Sequence, residues 1–269
     1  MMNLIDIMGC EYGRSKKWWN IGFYLKCLLI LISLVAIFAT SMFATIIGFA
    51  TLLIPISAFW VREKASNHYS QAEKVRRLLL LSDGLGIELP KLEIAQLEVE
   101  IGTLDKNRPL YTPPYYDSPL STGPNRLADI IAESSFFTKN LSNSSAKLFG
   151  TIALLGFAIV VCSMYFLIQS NISQTNSQLS AKIVTLMIVF FIAGDFASHY
   201  LSYSGLSKVS EVILNKCDKL RNDQAIDIND IIRAMNDYDC ALIKSPPIPD
   251  LLYTINRDKL NRAWRSHRR

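Results

Sequence analysis

Residues 27–61 contain no Asp, Glu, Lys, Arg or His, and two further uncharged runs follow at 148–181 and 183–194. A membrane-crossing helix takes about 20 predominantly apolar residues to span roughly 30 Å of hydrocarbon. The first run is therefore too long for one span and suits two, joined by a tight turn near Thr40, Ser41 and Met42. Four spans are expected, at about 21–38, 42–60, 148–169 and 183–203. Composition agrees, because half the chain is apolar and only 19% is charged. The fold class expected is all-α: an integral membrane protein with four transmembrane helices in two hairpins, plus a cytoplasmic helical layer.

Basic residues set the orientation. Arg14, Lys16 and Lys17 precede the first span, and Arg62, Lys64, Lys74, Arg76 and Arg77 follow the second, whereas the short connections are nearly free of charge. The positive-inside rule then places both termini and the segment 62–147 in the cytoplasm. The chain divides into an N-terminal tail with the first hairpin (1–61), a cytoplasmic helical region (62–147), the second hairpin (148–203) and a cytoplasmic C-terminal region (204–269). The apolar run beginning at Cys27 lacks the small-residue cleavage pattern of a secretory signal and is expected to be retained. The formal net charge of +5 is concentrated beside the membrane and in the tail Arg262, Arg265, Arg268 and Arg269, which suits a topological determinant attracted to anionic lipid or, alternatively, a binding surface for a phosphate-bearing ligand. Asn140, Asn143 and Asn171 open N-x-S sequons, the first two on the cytoplasmic side of this topology.

The polar regions read as helices. Helix formers continue from Trp60 to Asp83-Gly84 without a breaker, so the second span is expected to run on as one helix. Pro90 opens a stripe of Ile94, Leu97, Ile101 and Leu104, and the helix that starts near Pro124 leads through Leu127, Ile130, Ile131 and Phe137 toward the third span. Between them, 108–125 is a loop rich in Tyr and Pro. Leu206, Val209, Ile213, Cys217 and Leu220 prolong the fourth span, and Asp227 caps a helix carrying Ile228, Ile231, Ile232, Met235 and Leu242. Pro249 starts the last helix. No period-2 pattern of a sheet occurs in these regions.

Enzymatic signatures such as GxGxxG, GxxxxGK, GxSxG and HExxH are absent. The five cysteines, at 10, 27, 162, 217 and 240, have no metal-ligand spacing and imply no disulfide framework. The reading is accordingly non-enzymatic, with no catalytic residue, metal or cofactor. Two places carry other chemistry. Asp195 lies about 12 Å inside the fourth span at 1.5 Å per residue, a costly position for a carboxylate that faces lipid. Lys26 in the first span reaches a similar depth from the same side, so it pairs with Asp195 or snorkels to the headgroups, and His199 stands one helical turn from Asp195. These three are the candidate intramembrane polar or pore residues. The second place is the loop and helix start at 115–126, where Tyr115 and Tyr116 offer faces for base stacking and Arg126 a guanidinium for phosphate. Arg257 on the last helix supplies a second charge. The alternative for this stretch is ordinary juxtamembrane packing.

Two stretches carry a likeness: YYDSPLSTGPNRLADIIAESSFFTKNL at 115–141 and DYDCALIKSPPIPDLLYTINRDKLNRAW at 237–264. Through Tyr115-Tyr116, Arg126-Leu127, Glu133-Ser134-Ser135-Phe136-Phe137, Pro246-Pro247-Ile248-Pro249, Leu252-Tyr253 and Lys259-Leu260-Asn261, the chain resembles the SMODS-associating four-transmembrane effector family of bacterial anti-phage systems. The resemblance covers nearly the whole chain. It implies a CBASS-type effector in the bacterial inner membrane, responding to a cyclic oligonucleotide made by a cGAS/DncV-like nucleotidyltransferase. Such an effector permeabilises the membrane and arrests growth before phage release. The candidate site residues named above come from their own chemistry and not from the resemblance.

Four spans with so few intramembrane polar groups do not enclose a wide channel alone, so a homo-oligomer in the lipid bilayer is expected. No DNA or RNA polymer is expected as a partner. The alternatives are a small membrane transporter, a membrane-bound enzyme acting on lipid or nucleotide, and a non-conducting membrane scaffold.

Overall fold

The structure is a computed structural model that describes residues 4–36, 41–101, 115–116, 118–169, 176–222 and 227–267, with the side chains of several helical stretches, 176–194 the longest, left aside. Every regular element among them is helical: α1 (Leu4–Ala36), α2 (Ser41–Leu79) ending in a π turn (Leu80–Gly84), α3 (Lys91–Ile101), α4 (Pro124–Gln169), α5 (Asn176–Asn222), α6 (Ile228–Ile243) and α7 (Asp250–His267). Parts of several expectations fall outside the described residues: Thr40 of the first hairpin turn, Leu104, 108–114 and 117 of the Tyr-rich loop, 170–175 of the second connection with Asn171, and Arg268 and Arg269.

The chain forms two compact units. One comprises Met1–Lys16, Ala65–Ser145 and Ser202–Arg269, and the other Lys17–Lys64 and Ala146–Leu201. α1, α2, α4 and α5 are long enough to contribute to both.

The first unit has a hydrophobic core. Its buried residues include Val75 and Leu80 of α2 and its π turn, Leu127 and Ile131 of α4, Ile213 of α5 and Met235 of α6. α6 shows how local signals build it. The Asp227 carboxylate accepts from the Asn229 backbone N–H at 2.9 Å, the N-cap expected from its position. Ile231, Ala234, Met235, Tyr238 and Leu242 then recur at helical spacing on the buried face. Ile228, expected in that stripe, is exposed because it sits on the first turn, before the helix meets the core.

Two departures from the sequence reading are structural. The amino-terminal segment is helical rather than a tail: Ile5, Met8 and Tyr12 fall at helical intervals, with Ile5 and Met8 buried in the core. The end of α2 owes its shape to two glycines. Gly86 has φ +71°, a conformation only glycine adopts without strain. A Cβ on Gly84 would lie 2.8 Å from Leu127 Cδ1, so its bareness lets the π turn close on the first turn of α4.

The second unit is filled by aromatic rings. Trp19 lies 5.8 Å from Phe23 and 5.9 Å from Phe149 by ring centroid, and Phe149 stacks on Phe196 at 6.1 Å. Its outward surface is apolar, with Phe49, Leu53, Leu154 and Phe157 all exposed. Among the described residues one helix, Pro124–Cys162, is long and apolar enough to cross a membrane by length and composition.

A tyrosine-lined cavity as candidate functional site

A cavity of about 430 Å³ opens in the first unit, lined by side chains from α1, α2, α4, α7 and the segment between α6 and α7. Helical spacing delivers them: Tyr12 and Lys16 from α1, Tyr69, Glu73 and Arg76 from α2, and Tyr253, Arg257 and Asn261 from α7 stand at intervals of three or four residues. α4 adds Glu133, Ser134, Phe137 and Thr138. Pro247 and Ile248 close one side, and Tyr115 and Tyr116 another, their rings edge-on with centroids 4.7 Å apart.

The buried end is an ion network. The Tyr12 hydroxyl donates to Glu73 Oε1 at 2.7 Å and Arg76 Nε donates to Glu73 Oε2 at 2.6 Å. Arg76 Nη2 donates to Asp239, whose other oxygen has Arg77 Nε at 3.8 Å. The Arg76 guanidinium also lies 5.1 Å from the centre of the Tyr238 ring, and the Tyr238 hydroxyl shares a 2.6 Å hydrogen bond with Thr138. Burial and the Glu73 charge push the Tyr12 and Tyr69 phenols well above their ordinary value. Burial raises Tyr116 and Tyr238 in the same way, so the tyrosines stay neutral donors. Burial also raises the Asp239 carboxyl, against the lowering effect of Arg76. For Arg76 itself burial works against the charge, but the Glu73 and Asp239 carboxylates outweigh it and hold the pKa above the usual guanidinium value.

The outer end is more open. Lys16 donates to Asp250 and lies 6.0 Å from the centre of the Tyr253 ring, which is 43% exposed. Arg257 is exposed, and no acidic side chain among the described residues pairs with it. Aromatic faces, hydroxyl donors and a guanidinium together suit a small ligand with a flat ring and an anionic group.

Of the candidate ligand residues, Tyr115, Tyr116 and Arg257 meet at this cavity and Arg126 does not. Arg126 is consumed elsewhere: Nε donates to Asp83 O at 3.0 Å, Nη1 to Ser118 O and Leu120 O at 2.6 and 2.8 Å, and Nη2 to Asp83 Oδ1 at 2.9 Å. It clamps the loop before α4 to the end of α2, and its guanidinium nitrogens are engaged there and not at the cavity. The intramembrane candidates belong to the second unit. Lys26 Nζ donates to Asp195 Oδ2, and Arg62 Nη1 lies 3.6 Å from Asp195 Oδ1. His199 is buried against Phe149 and Trp19, at 5.3 and 6.2 Å by ring centroid.

Sequence reasoning missed Tyr12, Tyr69, Glu73, Arg76, Glu133 and Tyr253. Tyr69, Glu73 and Arg76 share one helical face, as do Tyr253, Arg257 and Asn261, but spacing alone does not tell a polar stripe facing solvent from one facing a cavity. No cluster of three His, Cys, Asp or Glu able to hold a metal occurs among the described residues. The chain matches no protein-family model, no curated protein and no solved structure.

Proposed function

We propose that this chain is a membrane-disrupting or pore-forming effector of a bacterial anti-phage system of the CBASS type, set in the inner membrane by four spans with both termini cytoplasmic. A cyclic oligonucleotide from a cGAS/DncV-like nucleotidyltransferase binds the first unit, and the assembled homo-oligomer then permeabilises the membrane, arresting growth or aborting infection. The observation that carries this reading is a convergence. Sequence pieces on which the resemblance to the SMODS-associating four-transmembrane effector family rests, far apart along the chain, meet at one cavity: Tyr115 and Tyr116, Glu133, Ser134 and Phe137, then Pro247, Ile248 and Tyr253. α1, α2 and α4, which also line the cavity, continue into the apolar second unit, so ligand binding has a physical route to the spans. Gating requires that the ligand bind the conducting state better than the resting one.

The test is dye release from liposomes carrying the full chain, challenged with a panel of cyclic di- and trinucleotides. One of them is expected to trigger release, and Arg257→Ala to abolish it while leaving expression and detergent-extracted oligomers intact. Release that ignores every cyclic oligonucleotide refutes the trigger. Topology is checked separately: a Cys placed at Asn176 reacts with an impermeant reagent from outside and one at Asn107 does not, and the reverse pattern inverts the arrangement.

The cluster of Asp195, Lys26 and Arg62 favours a second reading, a small transporter moving a proton or ion past a polar centre. Solute-selective flux without dye release distinguishes it.

A further inference from the structure

α7 has two faces. Tyr253, Arg257 and Asn261, at successive helical intervals, line the cavity, and Leu260 and Trp264 are enclosed in the first unit. At 100° per residue Leu251 and Ile255 fall on nearly the opposite side, and they are 68% and 67% exposed. Lys259, Arg262 and Arg265 continue that outer face, all exposed, with Asp258 among them. Two contacts fix where the apolar start of the helix stands. Lys16 Nζ donates to Asp250, the first residue of α7, and the Tyr203 hydroxyl donates to the Pro247 carbonyl at 2.7 Å, four residues before Leu251. Lys16 precedes the first expected span, 21–38, by five residues, and Tyr203 closes the fourth, 183–203. The start of α7 is therefore held beside the ends of two spans.

Resting on the four-span reading above, we propose that α7 is an interfacial anchor: Leu251 and Ile255 enter the headgroup layer of the bilayer that holds the spans, and Lys259, Arg262 and Arg265 engage the phosphates of anionic lipid. The two apolar side chains gain by leaving water. The basic ones reach headgroup oxygens on long stems and are drawn by the negative surface potential of an anionic leaflet. Apolar residues beside Lys and Arg on one helix face are the pattern of a helix that lies in the membrane interface. Tyr253 and Arg257 ride on the same helix, so lipid on one face and the cavity on the other share one rigid element.

The test places an environment-sensitive fluorescent amino acid, by stop-codon suppression, at Leu251, Ile255, Arg233 on α6 or Leu154 in the second unit, one per full-length chain. All four positions are exposed, so the probe needs no repacking. The proteins are reconstituted in vesicles of phosphatidylcholine with phosphatidylglycerol, carrying a nitroxide quencher either near the headgroup or deep in the acyl chain. Quenching by the shallow nitroxide is expected at 251 and 255 and not at 233, and quenching by the deep one at 154. Replacing Lys259, Arg262 and Arg265 together by Gln, or the vesicles by phosphatidylcholine alone, is expected to remove most of the shallow quenching and leave that at 154 unchanged. Quenching at 154 with none at 251 and 255 overturns the anchor and keeps the spans. Quenching at 251 and 255 with none at 154 keeps the lipid contact and removes the spans. Blue-shifted emission at 251 and 255 without quenching overturns the proposal, since protein, such as a second copy of the chain, then covers that face. Shallow quenching indifferent to both the Gln replacements and the lipid charge overturns the role given to anionic headgroups.

Discussion

Among the described residues the second unit leaves more large apolar side chains exposed than the first, while both enclose charged groups. In the first, Ile131, Met235 and Tyr238 are enclosed. In the second, Phe49, Leu154 and Phe157 face outward, while Lys26 and Asp195 are largely enclosed as an ion pair. α4 changes rule along its own length, from an enclosed Ile130 and Ile131 to an exposed Leu154 and Leu155. In water each exposed Å² of such surface forgoes about 25 cal/mol of burial, whereas in hydrocarbon the same surface is at home and the buried charge is what needs a partner. A helix therefore announces its solvent by which side chains it leaves outside. Hydropathy averaged over the whole chain hides that contrast.

The largest test of this contrast is Arg76→Met. It strands Glu73 and Asp239 as buried carboxylates, and removing one partner of such a network costs about 3–5 kcal/mol. Denaturation of the first unit, followed by Trp264 fluorescence, is expected to shift by that amount; a shift under 1 kcal/mol, on the scale of an exposed pair, would mean the network is solvated. Arg126→Ala comes next. It deletes four donated hydrogen bonds between the Asp83 turn and the loop before α4, and about 2–3 kcal/mol of stability is expected to go with them. Binding of nucleotide by the folded protein is expected to persist, which separates a clamp from a ligand residue.

In the second unit the corresponding experiment is a double-mutant cycle on Lys26→Ala and Asp195→Ala, read out by both dye release and thermal stability. A coupling of about 0.5–3 kcal/mol is expected for groups in direct contact. Additive effects would dissolve the pair and leave Arg62 as the counter-ion of Asp195. The smallest effect is chemical rather than energetic. Burial, with the nearby Asp218 charge, pushes the Cys217 thiol up to about 12, and its side chain is enclosed, whereas Cys240 is exposed. Maleimide at pH 8 is expected to modify Cys240 in the folded protein and Cys217 only after denaturation, since the thiolate is the nucleophile. Rapid labelling of Cys217 in native protein would show that the core around α5 opens readily.

Helical class was legible from the chain because it rests on local physics: the 3.6-residue recurrence of Leu206, Ile213 and Cys217, the Asp227 cap, and the absence of breakers between Trp60 and Asp83. So was the possibility of a Lys26–Asp195 pair, because a buried charge demands a counter-charge and only a few were at the right depth. The cavity was only half legible. Tyr115, Tyr116 and Arg257 stand out by residue type, but Tyr12, Tyr69, Glu73 and Arg76 acquire meaning only when two helices, α1 and α2, bring them face to face. Arg126 marks the other limit. A guanidinium beside a helix start suits phosphate equally well on any protein, and only the fold decided that two carbonyls of the neighbouring loop and the Asp83 turn would take its donors first. Sequence by itself determined which segments are helical and which stretches shun charge, since these depend on neighbours within a few turns. Tertiary structure alone decided which polar side chains share a space, because hydrogen bonds and ion pairs act over a few ångströms between residues that the sequence sets far apart.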